Sequence, residues 1–328
     1  MELLLLISFI TSFFATLFVT PHWIKRASKA GLTGIDLHKI SKPSVAELGG
    51  IPVIFGFLIG ILTFVAIRIF IIDTSLYILE IMAMLATILI ITIIGIIDDI
   101  LGWKIGLRQW QKPLLTLIAA LPMMAINIGH STMRFPILGA VDFGIFFPLA
   151  LTPIAIVGAS NGFNMVAGYN GLEAGMGMII LSTMSYVAWS RGNSWIAIIA
   201  LCMVFSLLAF YLYNKYPSKI FPGDTMTYSV GALIAALALL GNMEKVAIIL
   251  FVPYFIELFL KARGLFKKES FAKIKENDVL ETKYDKIYGI EHAAIKFLSL
   301  INLRPTEKNV VYSLYSFQII FVILSFIL

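Results

Sequence analysis

The stretch ILIITIIGIIDDILGWKIGLRQWQK, Ile88 to Lys112, decides how this chain is read. An apolar run ends abruptly at Asp98 and Asp99, and a basic, aromatic segment follows with Trp103, Lys104, Arg108, Trp110 and Lys112. A carboxylate deep in a bilayer is costly, so acids embedded in apolar sequence usually mark a site. At a membrane face the cost falls, and two adjacent acids there can bind a divalent cation. The competing reading is that the pair only caps a helix and stops it sinking into the bilayer. The rest of the chain has to choose between them.

Composition sets the class. Of 328 residues, 59% are apolar and only 13% are charged, and the mean hydropathy is +0.93. A soluble domain carries roughly 25% charged residues. The pattern predicts an all-α polytopic membrane protein with about ten transmembrane helices, near 3–20, 51–70, 79–97, 113–128, 145–160, 174–190, 194–212, 225–241, 244–260 and 309–327. The first is expected to be an anchor, since no basic residues precede it and no cleavage site follows. The loops then alternate between two faces. Loops 21–50, 98–112, 161–173, 213–224 and 261–308 hold 21 Lys and Arg residues, and the opposite face holds Arg68, Arg134, Arg191 and Lys245. That bias places the first set in the cytoplasm and both termini outside. It also accounts for the net charge of +6 without a nucleic-acid partner. The single cysteine, Cys202, excludes an internal disulfide.

We read 1–328 as a single transmembrane catalytic domain, with 261–308 as a cytoplasmic loop insertion within it. That loop is predicted to hold a short β-hairpin around Asn277-Asp278 and an amphipathic helix lying on the membrane. Ile290, Ala293 or Ala294, Phe297 and Ile301 would form the apolar face of this helix, and His292 reads as a surface residue. A second small hairpin is expected at 130–144 on the opposite face.

The unusual residues lie on the cytoplasmic loops. Lys39, Lys42 and Glu47 stand before the Gly49-Gly50-Ile51-Pro52 turn. Residues 158–177, GASNGFNMVAGYNGLEAGMG, crowd Asn161, Asn164, Asn170 and Glu173 among six glycines. Asn161 and Asn164 would share a helix face, as would Asn170 and Glu173. Gly-mediated helix packing explains the glycines but not the amides beside Glu173. Asp224 follows the Pro222-Gly223 turn, where it could be a helix N-cap. Three acids at one face, with few other ligands, suit Mg²⁺, which prefers oxygen and shares its shell with substrate phosphates. Nearby Lys and Arg would hold the phosphates. Zinc is disfavoured by scattered histidines and absent thiolates. The residues thus point to a Mg²⁺-dependent phosphoryl-group enzyme acting on a lipid-tailed substrate. A transporter or flippase of an anionic lipid is the non-enzyme alternative, but its polar groups should sit near mid-membrane.

Four segments in order resemble the polyprenyl-phosphate N-acetylhexosamine-1-phosphate transferases. They are Glu47-Leu48-Gly49-Gly50, Asp98-Asp99 with Lys112 following, NGFNMVAGYNGLEAG (161–175) and NKYPSKIFPGDT (214–225). The resemblance covers nearly the whole chain, and the third segment is similar to the eukaryotic and archaeal branch. Two features depart from the family: Gly102 stands where a further Asp or Asn often occurs, and the last loop lacks a three-histidine motif. The resemblance implies transfer of a sugar-1-phosphate, GlcNAc-1-phosphate or a close relative, from a UDP-sugar to dolichyl phosphate with release of UMP. This would be the first membrane step of lipid-linked oligosaccharide synthesis for N-glycosylation. A bacterial-type transferase using undecaprenyl phosphate is the alternative within the family. The resemblance further implies Asn164 and Asp224 as ligands of Mg²⁺, or of Mn²⁺ in its place, and Asp98, Asp99 and Lys112 as catalytic. Glu47, Asn161, Gly168, Asn170, Glu173, Arg263 and Lys267 would then bind substrate, and the resemblance implies that Asn170 and the adjoining backbone contact the uracil. The active site would face the cytoplasm, from the cell membrane or, in a eukaryote, the endoplasmic reticulum. A homodimer is left open.

Overall fold

A computed structural model describes residues 2–129, 131–135, 139–275 and 278–328. Most of them are helical: α1 (Glu2–Lys29), α2 (Gly50–Phe70), α3 (Ile78–Ile105), α4 (Gln111–Ala119), α5 (Leu121–Ala125), α6 (Thr152–Met165), α7 (Leu172–Ser190), α8 (Ser194–Asn214), α9 (Gly223–Leu240), α10 (Glu244–Leu250), α11 (Val252–Arg263), α12 (Ile290–Leu300) and α13 (Glu307–Ile327). Three antiparallel hairpins join them: β1 (Thr33–Ile35) with β2 (Ser44–Ala46), β3 (Thr132–Phe135) with β4 (Gly139–Asp142), and β5 (Lys273–Ile274) with β6 (Leu280–Glu281). The last two are the hairpins the sequence predicts, although the turn residues 136–138 and 276–277 lie outside the described residues.

Among the described residues, six helices, in α1, α2, α3, α8, α9 and α13, are long and apolar enough to cross a membrane. Three of the remaining expected spans are interrupted. Residues 113–128 divide into α4 and α5, 145–160 begin with a π-helical turn at Phe147–Leu151, and 244–260 divide into α10 and α11. Proline explains each break, because it lacks an N–H and clashes with the preceding turn. Pro122, Pro153 and Pro253 stand in the first turn of α5, α6 and α11, and Pro148 opens the π-helical turn. The α1 helix also runs past its expected end near residue 20 to Lys29, so Lys25, Arg26 and Lys29 are helical.

At the centre of the bundle is α9, in which every residue from Thr225 to Leu239 is buried. A helix apolar on all sides belongs inside a protein or a membrane. It packs against α3 on one side and α6 on another. At the periphery, Leu6, Ile10, Phe14 and Phe18 of α1 and Ile319, Ile320 and Ile323 of α13 turn outward. Close helix approach in lipid relies on small residues. Gly56 and Gly60 of α2 accordingly lie directly against Thr16 and Ser12 of α1, where a Cβ would collide.

The last loop corrects two expectations. Ile290, Ala294, Ile295 and Leu298 of α12 are buried, whereas Phe297 and Ile301 are exposed. The packed face is therefore rotated from the one the apolar spacing suggests. His292 is fully buried rather than on the surface. Burial holds its imidazole below its ordinary pKa, with Lys261, Lys283 and Lys296 acting the same way.

Candidate active site

The acid pair does not end its helix. The α3 helix continues past Asp98 and Asp99 to Ile105, with a kink at Gly102, whose φ is 68°. The chain then turns back, and the backbone N–H of Leu107 donates to Asp98 Oδ1 at 2.8 Å. This fold-back brings the first turn of α4 over α3. Lys112 Nζ lies 2.7 Å from Asp98 Oδ2 and donates to Asp224 Oδ2 at 2.8 Å. Three residues from separate parts of the sequence thus meet at one ammonium. The Tyr228 hydroxyl, one turn along α9 from Asp224, stands 3.5 Å from Asp98 Oδ2. The side chains of Lys112 and Asp224 keep 25% and 22% exposure, so a ligand can reach them.

Asp99 points elsewhere. Its Oδ1 accepts the backbone N–H of Asp224 at 2.7 Å, and its Oδ2 accepts the N–H of Thr225 at 3.0 Å and its hydroxyl at 2.6 Å. The first N–H groups of a helix have no partner within it, and a carboxylate there also favours the helix dipole. Asp99 is therefore the cap of α9, supplied by a neighbouring helix. Asp224 itself lies inside the helix and does not cap it, which frees its carboxylate for Lys112. Two glycines permit this fit. Gly223, at φ 71°, sits against the Asp99 carboxylate, and Gly95 of α3 sits against the backbone of Thr225.

The amides are placed separately. Asn161 donates to Thr116 Oγ1 of α4 at 3.0 Å and to the Val157 carbonyl at 2.9 Å, which ties α6 to α4. Asn164 accepts from the Thr227 hydroxyl at 2.8 Å, which ties α6 to α9 one turn beyond Asp224. Asn170 does not share a helix face with Glu173, because it precedes α7, which starts at Leu172. Glu173 instead accepts the N–H of Gly168 at 2.7 Å and so closes the loop between α6 and α7.

Glu47 lies between β2 and α2, its carboxylate pressed against Gly34. Burial raises its pKa from the ordinary value. The glycines after it dock on the entry to α9: Gly49 N–H donates to the Phe221 carbonyl at 2.9 Å and Gly50 N–H to Pro222 at 2.8 Å. Arg263 and Lys267 are exposed at the end of α11 and beyond, with Arg263 over the Tyr288 ring at 5.4 Å. Their segment borders the Asp98 fold-back, since the Gln109 side chain donates to the Phe266 carbonyl at 3.0 Å.

Sequence reasoning passed over a second ionic cluster. Asp36, Lys39 and Glu307 meet in a buried network, with Lys39 Nζ 3.1 Å from Asp36 Oδ2 and paired with Glu307. The signal available was slight: an acid beside Lys39 and another at the start of α13, 268 positions from that lysine.

Comparison with known proteins fits this arrangement. Residues 81–242 match the description Glycosyl transferase family 4. A protein of Saccharolobus solfataricus, assigned by name as a UDP-N-acetylglucosamine–dolichyl-phosphate N-acetylglucosaminephosphotransferase, is 36% identical over 99% of this chain and 97% of its own length. The chain belongs to glycosyl transferase family 4. The enzyme of that same name from Dictyostelium discoideum is 30% identical to this family 4 chain over 73% of it and 67% of the relative. A phospho-N-acetylmuramoyl-pentapeptide-transferase of Halalkalibacterium halodurans is 30% identical over 78% and 81%. The family 4 transferase described here is accordingly a multi-pass membrane protein, and Asp98, Lys112, Asn164 and Asp224 all fall within the matched region.

Proposed function

We propose that this transferase moves N-acetylglucosamine-1-phosphate from UDP-N-acetylglucosamine to a dolichyl-type polyprenyl phosphate, with release of UMP. It would do so at the cytoplasmic face of a ten-span bundle, as the first membrane step of lipid-linked oligosaccharide synthesis. The observation that carries this reading is Lys112 held between Asp98 and Asp224 where α3, α4 and α9 begin or end. A transporter would instead place its charges midway along its helices.

The same observation tests the metal. Two carboxylate oxygens converge on a cation's position, and the donors around it are oxygens, as a hard divalent ion requires. Asp224, with Asn164 tied to α9 through Thr227, would hold Mg²⁺, and the ion would neutralise charge on the donor's diphosphate. The side chains supply the rest. Lys112 offsets phosphate charge and keeps Asp98 and Asp224 from repelling one another. Asp98, fixed by Leu107 and Lys112, orients the lipid phosphate. A general base has little to do, because a phosphate monoester with a second pKa of about 6 is largely dianionic at neutral pH. Catalysis then rests on positioning and charge neutralisation.

The test is UMP release by the purified protein with Mg²⁺, short polyprenyl phosphate and a panel of UDP-sugars. UMP formed with UDP-N-acetylglucosamine only when both lipid and Mg²⁺ are present is the expected result. Silence with every sugar, or UMP release independent of lipid, would refute the proposal.

A further inference from the structure

The loop between α6 and α7 is held residue by residue, each time from a different part of the chain. The Gly168 N–H is taken by Glu173. The Tyr169 ring lies 4.2 Å from the His38 ring, and its hydroxyl donates to the Ser270 carbonyl at 3.3 Å. Asn170 is held twice: its backbone N–H donates to Glu307 Oε1 at 2.8 Å and its side-chain amide to Asp36 Oδ2 at 2.9 Å. The Gly171 carbonyl accepts from the Tyr315 hydroxyl at 2.5 Å. The first loop, the last loop and α13 thus converge on three consecutive residues, Tyr169 to Gly171, next to a Gly168 held by α7.

Asp36, His38 and Glu307 have ligand atoms within 4.8 Å of one another, which invites a metal. The chemistry goes another way. The ammonium of Lys39 already pairs with both acids. His38 Nε2 accepts the backbone N–H of Ala272 at 3.2 Å, so that nitrogen is committed. Asp36 and Glu307 are each about as buried as a core leucine, with side-chain exposures of 4% and 2%. Buried carboxylates persist only when paired and hydrogen-bonded. Here Lys39 supplies the charge, and the hydrogen bonds come from the His38 backbone N–H to Asp36 and from Asn170 to both acids. The only residue of the 168–171 loop that the two acids bind, among the described contacts, is Asn170.

We propose that Asp36, Lys39, Glu307 and Tyr315 form a clamp that presets residues 168–171 for the nucleotide half of the donor. They are positioning residues that act through Asn170 and Gly171, and they touch neither the lipid phosphate nor the metal. This rests on the nucleotide-sugar reading above and on the resemblance that sets Asn170 and its backbone against the uracil. A preset loop avoids an ordering cost on binding, so its loss weakens the affected substrate alone. A purely structural role would lower stability and degrade both substrates together.

Initial rates of UMP release, with both substrates varied, separate these cases in wild type, Glu307→Gln and Tyr315→Phe. Both changes conserve shape; the first removes a charge and the second one hydroxyl. The KM for UDP-N-acetylglucosamine should rise about tenfold in Glu307→Gln and about threefold in Tyr315→Phe. The KM for polyprenyl phosphate and kcat should stay within about twofold. An unchanged donor KM, or a parallel rise in both KM values, overturns the clamp. Should Glu307→Gln fail to fold, Tyr315→Phe decides alone. If wild type releases no UMP at all, the proposed reaction fails, and calorimetric titration with UMP judges the clamp separately. Weaker UMP binding in the variants then supports it, and equal or absent binding refutes it.

Discussion

Two clusters in this molecule use one recipe, a lysine between two carboxylates, and arrive at different ends. In one, Lys112 joins Asp98 to Asp224; in the other, Lys39 joins Asp36 to Glu307. Access makes the difference. The Lys112 and Asp224 side chains remain partly open, whereas Asp36 and Glu307 are closed in and the Lys39 ammonium is further covered by the Tyr216 ring at 4.0 Å. An open ion pair can exchange partners with a phosphate or a metal at modest cost. A buried one cannot, because breaking it strands a charge out of water at a cost of about 3–5 kcal/mol. Charge composition alone therefore does not distinguish a reactive site from a fastening.

Asp224→Ala offers the sharpest break in this comparison. Turnover should fall at least about a hundredfold with Mg²⁺ or Mn²⁺, while the thermal midpoint barely moves, since the helix cap is Asp99. Activity within a few-fold of wild type would return Asp224 to a fastening role.

A smaller effect should separate the two neighbours on α3. Asp98→Asn should lower kcat about tenfold or more, by a similar factor at every pH between about 5.5 and 9, since Asp98 orients and does not take a proton. Asp99→Asn should instead act first on stability. Its amide still offers one acceptor to the start of α9 but loses the charge, a change comparable to damaging a helix cap at about 1 kcal/mol. A pH–rate profile and a melting curve for each variant check this. An acidic limb in wild type that only Asp98→Asn abolishes would make Asp98 a base.

The smallest effect sharpens the comparison from the other side, through an acid placed beside another acid. Glu291 on α12 is fully buried. Burial first, then neighbouring Glu257, hold its carboxyl well above the ordinary value of 4.5, with Lys261 opposing. The folded state thus keeps a proton that the unfolded chain releases. The resulting stability is fully present below about pH 4.5 and is lost as pH rises toward the folded pKa. Glu291→Gln should leave the thermal midpoint nearly unchanged at about pH 4 and raise it relative to wild type at about pH 8. Parallel curves for the two proteins across that range would show that Glu291 carries no such proton.

Much of this was legible in the chain itself. Long apolar runs require helices that bury their own backbone polar groups, and the six helices long and apolar enough to cross a membrane among the described residues overlap spans that hydropathy predicts. Two of the three small hairpins were readable from their turn residues, whereas the pairing of β1 with β2 was not. Asp98, Lys112 and Asp224 stood out because charge is expensive beside apolar sequence. The interrupted helices were less visible, since a hydropathy window averages over Pro122, Pro148 and Pro253.

The sequence by itself determined the class of the protein and the acids worth watching, because apolar length and isolated charge are local properties. Only the tertiary structure decided what each acid does. Asp98 and Asp99 are adjacent in sequence, yet successive residues of a helix point about 100° apart. One therefore meets Lys112 while the other meets the start of α9. The clamp lay beyond sequence reasoning for the same reason: Lys39 and Glu307 are partners across 268 positions, and no local pattern records a contact made only when the first loop and the last helix close over residues 168–171.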